Sequence, residues 1–290
     1  MNVALFGNTF QTEKSRYVAH ILQHLQQHGV EIYIEKSFFE FIQSEMDVED
    51  IFQPLSDDVM PDIDFAVSVG GDGTFLNTAA KIGDKNIPIL GVNTGHLGFL
   101  ADTSPDGFEQ AFTAIEQGNY VIDRRSVLEV HTDSDALKGE IPYALNEVAV
   151  LKHDNSSTIE VITNVNGAHL IRYTADGLIV STPTGSTGYS LSAGGPIISP
   201  ESNTFCLSAV APHSLTVRPV VLQDDVKISL HIHSRSKRYL LSIDGRSISL
   251  PDTETIHLSK AQFKIGVIKV NHRDFFDTLR EKLSWGAGGR

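Results

Sequence analysis

The segment that most constrains the fold of this chain is residues 66–74, which read Ala-Val-Ser-Val-Gly-Gly-Asp-Gly-Thr. Its first half is a short β-branched apolar run, which is typical of a buried strand. The glycines allow a sharp turn and a close approach of the backbone to a ligand, because they carry no Cβ. From Thr74 onwards the apolar residues are spaced for one face of a helix. The sequence therefore predicts a strand, a glycine turn and a helix start in direct succession.

This succession predicts a phosphate-binding loop, because the N-terminus of a helix presents unpaired N–H groups and the positive end of a dipole. The residues expected to shape the phosphate site are Gly70, Gly71, Gly73 and Thr74. Asp72 would lie among anion-binding amides, where a carboxylate is unfavourable unless it takes part in chemistry. A turn that only caps a helix is the alternative, but capping does not need three glycines. The glycine spacing fits neither a Walker loop nor the dinucleotide fingerprint.

Strand and helix patterns alternate over residues 1–122, which we expect to form one domain. The apolar runs predict strands at 2–6, 30–34, 65–69 and 87–92 and helices at 13–28, 74–82 and 105–117. Such alternation predicts a parallel α/β sheet. Ligand sites in these sheets lie at the carboxyl ends of strands, which is where Gly7 and the 70–74 turn fall.

The pattern changes after about residue 122, and residues 123–270 are expected to form a second, β-rich domain. Its predicted strands are 127–131, 143–151, 158–165, 168–173, 177–181, 205–210, 226–232, 238–243 and 263–270. Helical spacing returns over 273–285, within a last segment of 271–290. We expect this final helix to pack back on the first domain.

Composition excludes several classes of protein. The formal net charge of −13 is the opposite of what a nucleic-acid binder needs. Cys206 is the single cysteine, so no intrachain disulfide can form, and this favours a reducing cytoplasm. The apolar runs are too short for a membrane span. His20, His24 and His28 have a spacing that could bind zinc on a helix, but they lie opposite its apolar face and no Glu or Cys completes a site. We therefore expect neither nucleic acid nor membrane as a partner and assign no metal ligand.

A second glycine-rich segment, residues 175–196, crowds small hydroxyl residues around Tyr189. Such a loop lets a flat ring system lie against the backbone, with Ser and Thr hydroxyls as donors and acceptors. A flexible surface loop is the alternative. The strand predicted at 177–181 and the presence of Tyr189 and Leu191 favour a loop that lines a ligand.

Together these motifs resemble the NAD kinase family, over essentially the whole chain. The matching segments are 70–74, 145–147, 176–177, 182–196, 212–215 with 218–219, and 275–285. The motif at 70–74 alone is shared with lipid kinases and phosphofructokinases, whereas the segment 182–196 narrows the match to NAD kinases.

The resemblance implies an enzyme that transfers the γ-phosphoryl group of ATP to the 2′-hydroxyl of the adenosine ribose of NAD, giving NADP. It implies a divalent metal, expected to be Mg²⁺ held mainly by ATP oxygens. It also implies a Rossmann-like or phosphofructokinase-like α/β domain followed by a β-rich domain, in a homotetramer whose NAD site lies near a subunit contact.

Carried over position by position, the resemblance makes Asp72 the proton acceptor, and Asn146 and Glu147 ligands of the adenosine part of NAD. The further positions that it assigns to the NAD site are Gly73, Thr174, Asp176, Thr187, Gly188, Tyr189, Ser190, Leu191, Ser192, Ala211 and Arg246. Two of them depart from common members: Thr174 stands where many have Arg, and Arg246 where many have Gln.

Two other functions remain open from the sequence. A lipid or sugar kinase of the same glycine-aspartate superfamily is one, although a lipid kinase should offer an apolar acyl pocket, where this chain has Ser, Thr and Gly. A non-catalytic NAD(P)-binding regulator is the other, and loss of Asp72 or Glu147 would favour it; both are present.

Overall fold

The computed structural model describes residues 1–8, 15–45, 52–55, 61–154, 157–270 and 274–285. The ends of two predicted helices, residues 13–14 and 273, and the last residues of the predicted final segment, 286–290, lie outside these ranges.

Six α-helices are described, of which α5 is a single turn. They are α1 (Ser15–Gln27), α2 (Lys36–Glu45), α3 (Asp72–Ile82), α4 (Phe108–Glu116), α5 (Tyr189–Ser192) and α6 (Phe275–Leu283). Short 3-10 turns cover Pro105–Gly107 and Thr184–Thr187.

The strands in the described ranges fall into three sheets. They are β1 (Asn2–Gly7), β2 (Glu31–Glu35), β3 (Gln53–Leu55), β4 (Phe65–Gly70), β5 (Ile89–Asn93), β6 (Val121–Arg125), β7 (Leu128–Thr132), β8 (Tyr143–Ala144), β9 (Glu147–Lys152), β10 (Ile159–Val165), β11 (Ala168–Ala175), β12 (Gly177–Ser181), β13 (Thr204–Val210), β14 (Val220–Gln223), β15 (Ile228–His233), β16 (Arg238–Ile243), β17 (Arg246–Pro251), β18 (Thr255–Lys260) and β19 (Ile265–Lys269).

The chain divides into two compact units, residues 1–124 with 265–290, and residues 125–264. Unit 1 is built on one seven-stranded sheet in the order β3-β2-β1-β4-β5-β19-β6. The neighbours from β3 to β19 pair in parallel. Strand β4 is buried along its whole length, as its continuous apolar run predicts. The order reverses between β1 and β4, and the carboxyl ends at such a reversal are where ligands bind in open α/β sheets.

The domain boundary differs from our prediction at one strand. We expected residues 263–270 to belong to the β-rich domain, but β19 pairs in parallel with β5 through Val267 and Ile89 and belongs to unit 1. The second crossing between the units therefore falls after residue 264 and not after 270. An apolar run of five residues fits the core of either sheet, so its pairing partner was not visible in the local pattern.

Unit 2 contains two six-stranded sheets, β11-β10-β15-β18-β7-β8 and β14-β13-β12-β9-β16-β17, in which the recorded pairs are antiparallel. Buried side chains from both sheets form one core cluster, for example Val161 and Ile232 from the first and Val180 and Leu241 from the second. In β15 buried apolar residues alternate with more exposed Ser and His, the period of a strand with one buried face.

The prediction of an α/β part, a β-rich part and a final helix is confirmed.

The sequence analysis did not predict helix α2 or five of the strands. Helix α2 buries Phe38 and Ile42, four residues apart, in the core of unit 1. Strands β3, β6, β14, β17 and β18 were not assigned either. In β17 and β18 polar and apolar residues do alternate, so these two strands carried a periodic signal that the sequence analysis missed. Over the described ranges, no helix is both long and apolar enough to cross a membrane.

Candidate active site

The glycine turn after β4 has the geometry of an open anion site. Gly71 is the N-cap of α3, with φ −97° and ψ −171°, and no described side chain caps it. Gly70 must lack a Cβ, because one would lie 2.2 Å from the hydroxyl of Thr74. A Cβ on Gly71 or Gly73 would meet nothing within 4 Å, so the space above these residues is open. The start of α3 therefore presents its first amides towards space that a phosphate can occupy.

Asp72 is fixed within this turn by the backbone of the segment that follows β5. Its Oδ2 accepts from the amide of Phe99 at 2.9 Å, and its Oδ1 accepts from the amides of Leu100 and Ala101, each at 3.0 Å. Gly98 makes this approach possible, since a Cβ there would lie 2.0 Å from Oδ1. The side chain remains 28% exposed, so Asp72 is both rigidly held and accessible.

In unit 2, Asn146 and Glu147 each present a buried polar atom that has no partner among the described residues. These atoms are Oδ1 of Asn146 and Oε2 of Glu147. An unpaired buried acceptor costs about 1–3 kcal/mol, so its retention points to a ligand that supplies donors. Gly188 leaves room beside both side chains, because a Cβ there would lie 2.9 Å from Glu147 Oε2 and 3.2 Å from Asn146 Nδ2.

Asp244 orients this pair, and the sequence analysis missed it. Its half-buried carboxylate accepts from the amides of Leu145 at 2.6 Å, Asn146 at 2.9 Å and Glu147 at 3.0 Å. Asp244 has φ +48° in the turn between β16 and β17, a conformation that Asp tolerates better than most residues. The Asp-Gly pair at 244–245 is a hairpin signal, but nothing in it shows that the carboxylate crosses to residues 145–147.

The electrostatic environment of Glu147 is unfavourable for a negative charge. Burial, and secondly the nearby charge of Asp244, raise the pKa of Glu147 to about 7, against a bond from the amide of Tyr189 that acts in the other direction. Burial also raises the pKa of Asp244, although its three backbone donors and Arg246 favour the charged form. Glu147 thus changes charge close to neutral pH.

The loop 182–192 folds tightly around residues 145–147, and many of its hydroxyls serve that fold. Thr182 donates to the carbonyl of Leu145 at 2.6 Å, and Ser186 donates to the carbonyl of Pro183 at 2.7 Å. Ser190 is buried and bonds Ser208 at 3.1 Å. Residues Thr187, Gly188, Tyr189, Leu191 and Ser192 of the predicted set lie in the same short stretch, and the Tyr189 ring is partly exposed. This is a structured loop, and the roles of its residues towards a ligand stay predictions.

Thr174, Asp176 and Ala211 form a separate group. Thr174 accepts through its carbonyl from the amide of His213 at 2.9 Å, and Asp176 donates its amide to the carbonyl of Val210. The Asp176 carboxylate pairs with Lys152 at 2.9 Å. In the sheet register Gly177 begins β12 while Ser181, opposite Glu147, ends it. Along β12, Thr174 and Asp176 are therefore about 13 Å from the pair Asn146 and Glu147, at 3.3 Å per residue.

Arg246 is committed to the protein backbone. Its guanidinium donates to the carbonyls of Ile141 at 3.2 Å, Tyr143 at 2.7 Å and Ile243 at 3.2 Å. Burial lowers the pKa of this guanidinium, partly offset by the charge of Asp244. These contacts give Arg246 a role in holding the strand β8 beside β17, and a role towards a ligand stays a prediction.

Comparisons with known proteins point to one family. Its N-terminal domain model, described as the ATP-NAD kinase N-terminal domain, matches residues 3–120, and the ATP-NAD kinase C-terminal domain matches residues 145–270. A protein of Bacteroides fragilis named NAD kinase is 48% identical over 290 residues, 100% of both chains. One of Porphyromonas gingivalis with the same name is 42% identical over 289 residues, 99% of both.

Two solved structures are similar along almost the whole chain. A crystal structure of yeast NADH kinase complexed with NADH aligns with a TM-score of 0.88 at 25% identity, covering 100% of this chain and 89% of that one. A crystal structure of an NAD kinase from Archaeoglobus fulgidus in complex with ATP aligns with a TM-score of 0.76 at 28% identity, covering 98% and 99%.

Proposed function

The chain belongs to the ATP-NAD kinase family, and we infer that it transfers the γ-phosphoryl group of ATP to the 2′-hydroxyl of the adenosine ribose of NAD, giving NADP. The observation that best supports this function is the position of Asp72. Its side chain is held rigidly at an uncapped helix start, with open space above Gly71 and Gly73. A lipid or sugar kinase shares the glycine motif alone, whereas both NAD kinase domain models match here.

We propose that Asp72 accepts the proton of the ribose hydroxyl. Phosphoryl transfer has a loose transition state, so the protein mainly positions the reactants and offsets charge. A carboxylate that accepts the proton late in the reaction contributes typically 10² to 10⁴-fold. The amides at the start of α3 would bind the phosphates of ATP, with Gly70, Gly71, Gly73 and Thr74 shaping the turn.

Asn146 and Glu147 would bind the adenosine part of NAD. Their unpartnered acceptors suit ribose hydroxyls and the amino group of adenine, which are donors. The proposed lining is completed by Gly73 and by Thr174, Asp176, Thr187, Gly188, Tyr189, Ser190, Leu191, Ser192, Ala211 and Arg246.

A divalent metal, Mg²⁺ in our proposal, would arrive with ATP. In the described ranges no group of three His, Cys, Asp or Glu residues could hold a metal ion, and the Asp72 oxygens already accept backbone donors. An ion bound mainly by the phosphate oxygens of ATP would need no such group, since Mg²⁺ commonly uses one or two carboxylates at most. When bound, it would withdraw charge from the transferred phosphoryl group.

We also propose that the protein works as a homo-oligomer in the cytoplasm, as the family resemblance implies for the assembly. A contact with a second copy near the NAD site would cover Leu215, which is 94% exposed in the loop that follows Ala211 and His213. A single buried cysteine agrees with a reducing compartment.

The direct test is an assay of purified protein with ATP, Mg²⁺ and NAD, in which an NADP-specific dehydrogenase reads the product. Absence of NADP would refute the function. The change Asp72→Asn keeps the size of the side chain and removes the base, so we expect kcat to fall by about 10² or more while the Kd for NAD stays within about twofold.

The control for this variant is Asp84→Asn, an exposed aspartate just after α3 in the same unit. Since Asp72 also holds residues 99–101, thermal melting of both variants checks that the turn survives. A folded Asp72→Asn protein with a kcat near that of the wild type would show that Asp72 is not the proton acceptor.

A further inference from the structure

The C-terminal helix brings a lysine to Asp72. Helix α6 begins with a capping box between Asp274 and Asp277, and Phe275 packs on Phe99 with ring centroids 6.2 Å apart. Lys282, near the end of the helix, places its Nζ 3.6 Å from Asp72 Oδ2. The same ammonium lies 4.8 Å from the centroid of the Phe99 ring. A cation is thus held between the candidate base and an aromatic face, all within unit 1.

The environment of Lys282 differs from that of three other cations of unit 1. Arg280 pairs with Asp277 on its own helix, Lys81 pairs with Glu35, and Lys269 pairs with Asp102. Lys282 instead reaches across to the glycine turn, and its side chain stays 34% exposed. At 3.6 Å its ion pair is longer than a hydrogen bond, so its three donors can still serve an acceptor that arrives with a ligand.

The position of Lys282 offsets the repulsion between the Asp72 carboxylate and a phosphoryl group bound at the turn. A carboxylate and a phosphoryl group within a few ångströms repel each other, and a helix N-terminus supplies only about half of one positive charge. The chain has no Walker lysine. A lysine beside the carboxylate supplies a full positive charge as a compact point donor, which is how lysines bind phosphate in other folds.

We propose that Lys282 binds the transferred phosphoryl group beside Asp72 and is a catalytic residue of the reaction; this rests on the function proposed above. In the step itself, the bond from the γ-phosphorus to the β–γ bridging oxygen breaks, and a bond to the ribose 2′-oxygen forms. The hydroxyl proton passes to Asp72 and ADP leaves. Lys282 keeps its protons and stabilises the charge on the phosphoryl oxygens during transfer.

The test compares Lys282→Met, Lys282→Arg and Arg280→Met. Methionine keeps an apolar stem over Phe99 and removes the charge, arginine keeps the charge, and Arg280→Met removes a charge two residues away on the same helix. We expect Lys282→Met to lower kcat by about 10² to 10³-fold, with the Kd for NAD unchanged. Lys282→Arg should recover at least tenfold of that loss, and Arg280→Met should stay within about twofold of the wild type.

A binding measurement without NAD separates this role from a structural one. Calorimetric titration with ATP and with ADP, both with Mg²⁺, should show an affinity of Lys282→Met that is reduced several-fold for ATP but not for ADP, which lacks the transferred group. Equal losses of affinity for ATP and ADP, or an unchanged kcat, would overturn the proposal. A fall in the Tm of Lys282→Met that accounts for the lost activity, and that Lys282→Arg does not restore, would overturn it as well. Because this titration needs no turnover, it tests Lys282 even if the wild type fails to make NADP.

Discussion

Replacing Glu147 with Gln should change stability and NAD binding in opposite directions. Burial and the charge of Asp244 raise the pKa of Glu147 from 4.5 to about 7. Below about pH 4.5 both the folded and unfolded states hold the proton, so the group has no effect on stability. Between 4.5 and 7 the unfolded chain loses the proton and the folded state retains it, so the free energy of unfolding falls as the pH rises. Above about pH 7 this loss is complete.

The size of the effect follows from the same two values. At about 1.4 kcal/mol per pH unit, the difference between 4.5 and about 7 corresponds to about 3 kcal/mol as an upper limit. Glu147 is partly exposed, so we expect about 1 to 2 kcal/mol after solvent screening. Glutamine has nearly the shape of the protonated acid and cannot ionise. At pH 8 the variant should therefore melt about 2 to 8 °C above the wild type, and at pH 5 the two should nearly coincide.

Scanning calorimetry at pH 5 and pH 8 measures this, with Glu160→Gln as the control. Glu160 also lies in unit 2, but its side chain is 45% exposed and pairs with Arg172 on the surface, so its replacement should move Tm little at either pH. At pH 8 the Kd of Glu147→Gln for NAD should rise about tenfold, since a charged acceptor for ribose hydroxyls is lost. A Tm difference of the same size at both pH values, or a variant less stable at pH 8, would refute the reasoning.

Two further predictions concern the same unit. Asp244→Asn removes the charge of the carboxylate that accepts hydrogen bonds from the amides of residues 145–147. The KM for NAD should therefore rise about tenfold, while the KM for ATP stays within about twofold. Equal changes in both KM values would show general damage to the fold. Thr174 is short and neutral where many family members have Arg, so the wild type should phosphorylate NADH measurably, and Thr174→Arg should lower the ratio of kcat/KM for NADH to that for NAD. An unchanged ratio, or no NADH phosphorylation by the wild type, would remove this idea.

The local sequence predicted those elements whose signal is contained within them. The apolar run of β4, the glycines after it and the spacing of α3 follow one another without a gap, and the structure confirms the strand, turn and helix. The strand predicted over 143–151 is instead divided into β8 and β9. The break at Leu145 and Asn146 coincides with the amides that Asp244 binds, from 99 and 98 residues away. A side chain so distant in sequence leaves no trace in the periodicity of the strand that it interrupts.

The charges of the two candidate acids explain why their expected roles differ. Asp72 accepts three backbone donors and faces Lys282, so its side chain is held in place before any ligand arrives. A base prepared in this way needs no rearrangement to receive a proton late in the transfer. Glu147 is half-buried beside Asp244 with one buried oxygen unpartnered, and its charge is favoured only when donors are supplied. Ribose hydroxyls are such donors, and this difference agrees with the proposal that Glu147 binds the sugar and Asp72 takes its proton.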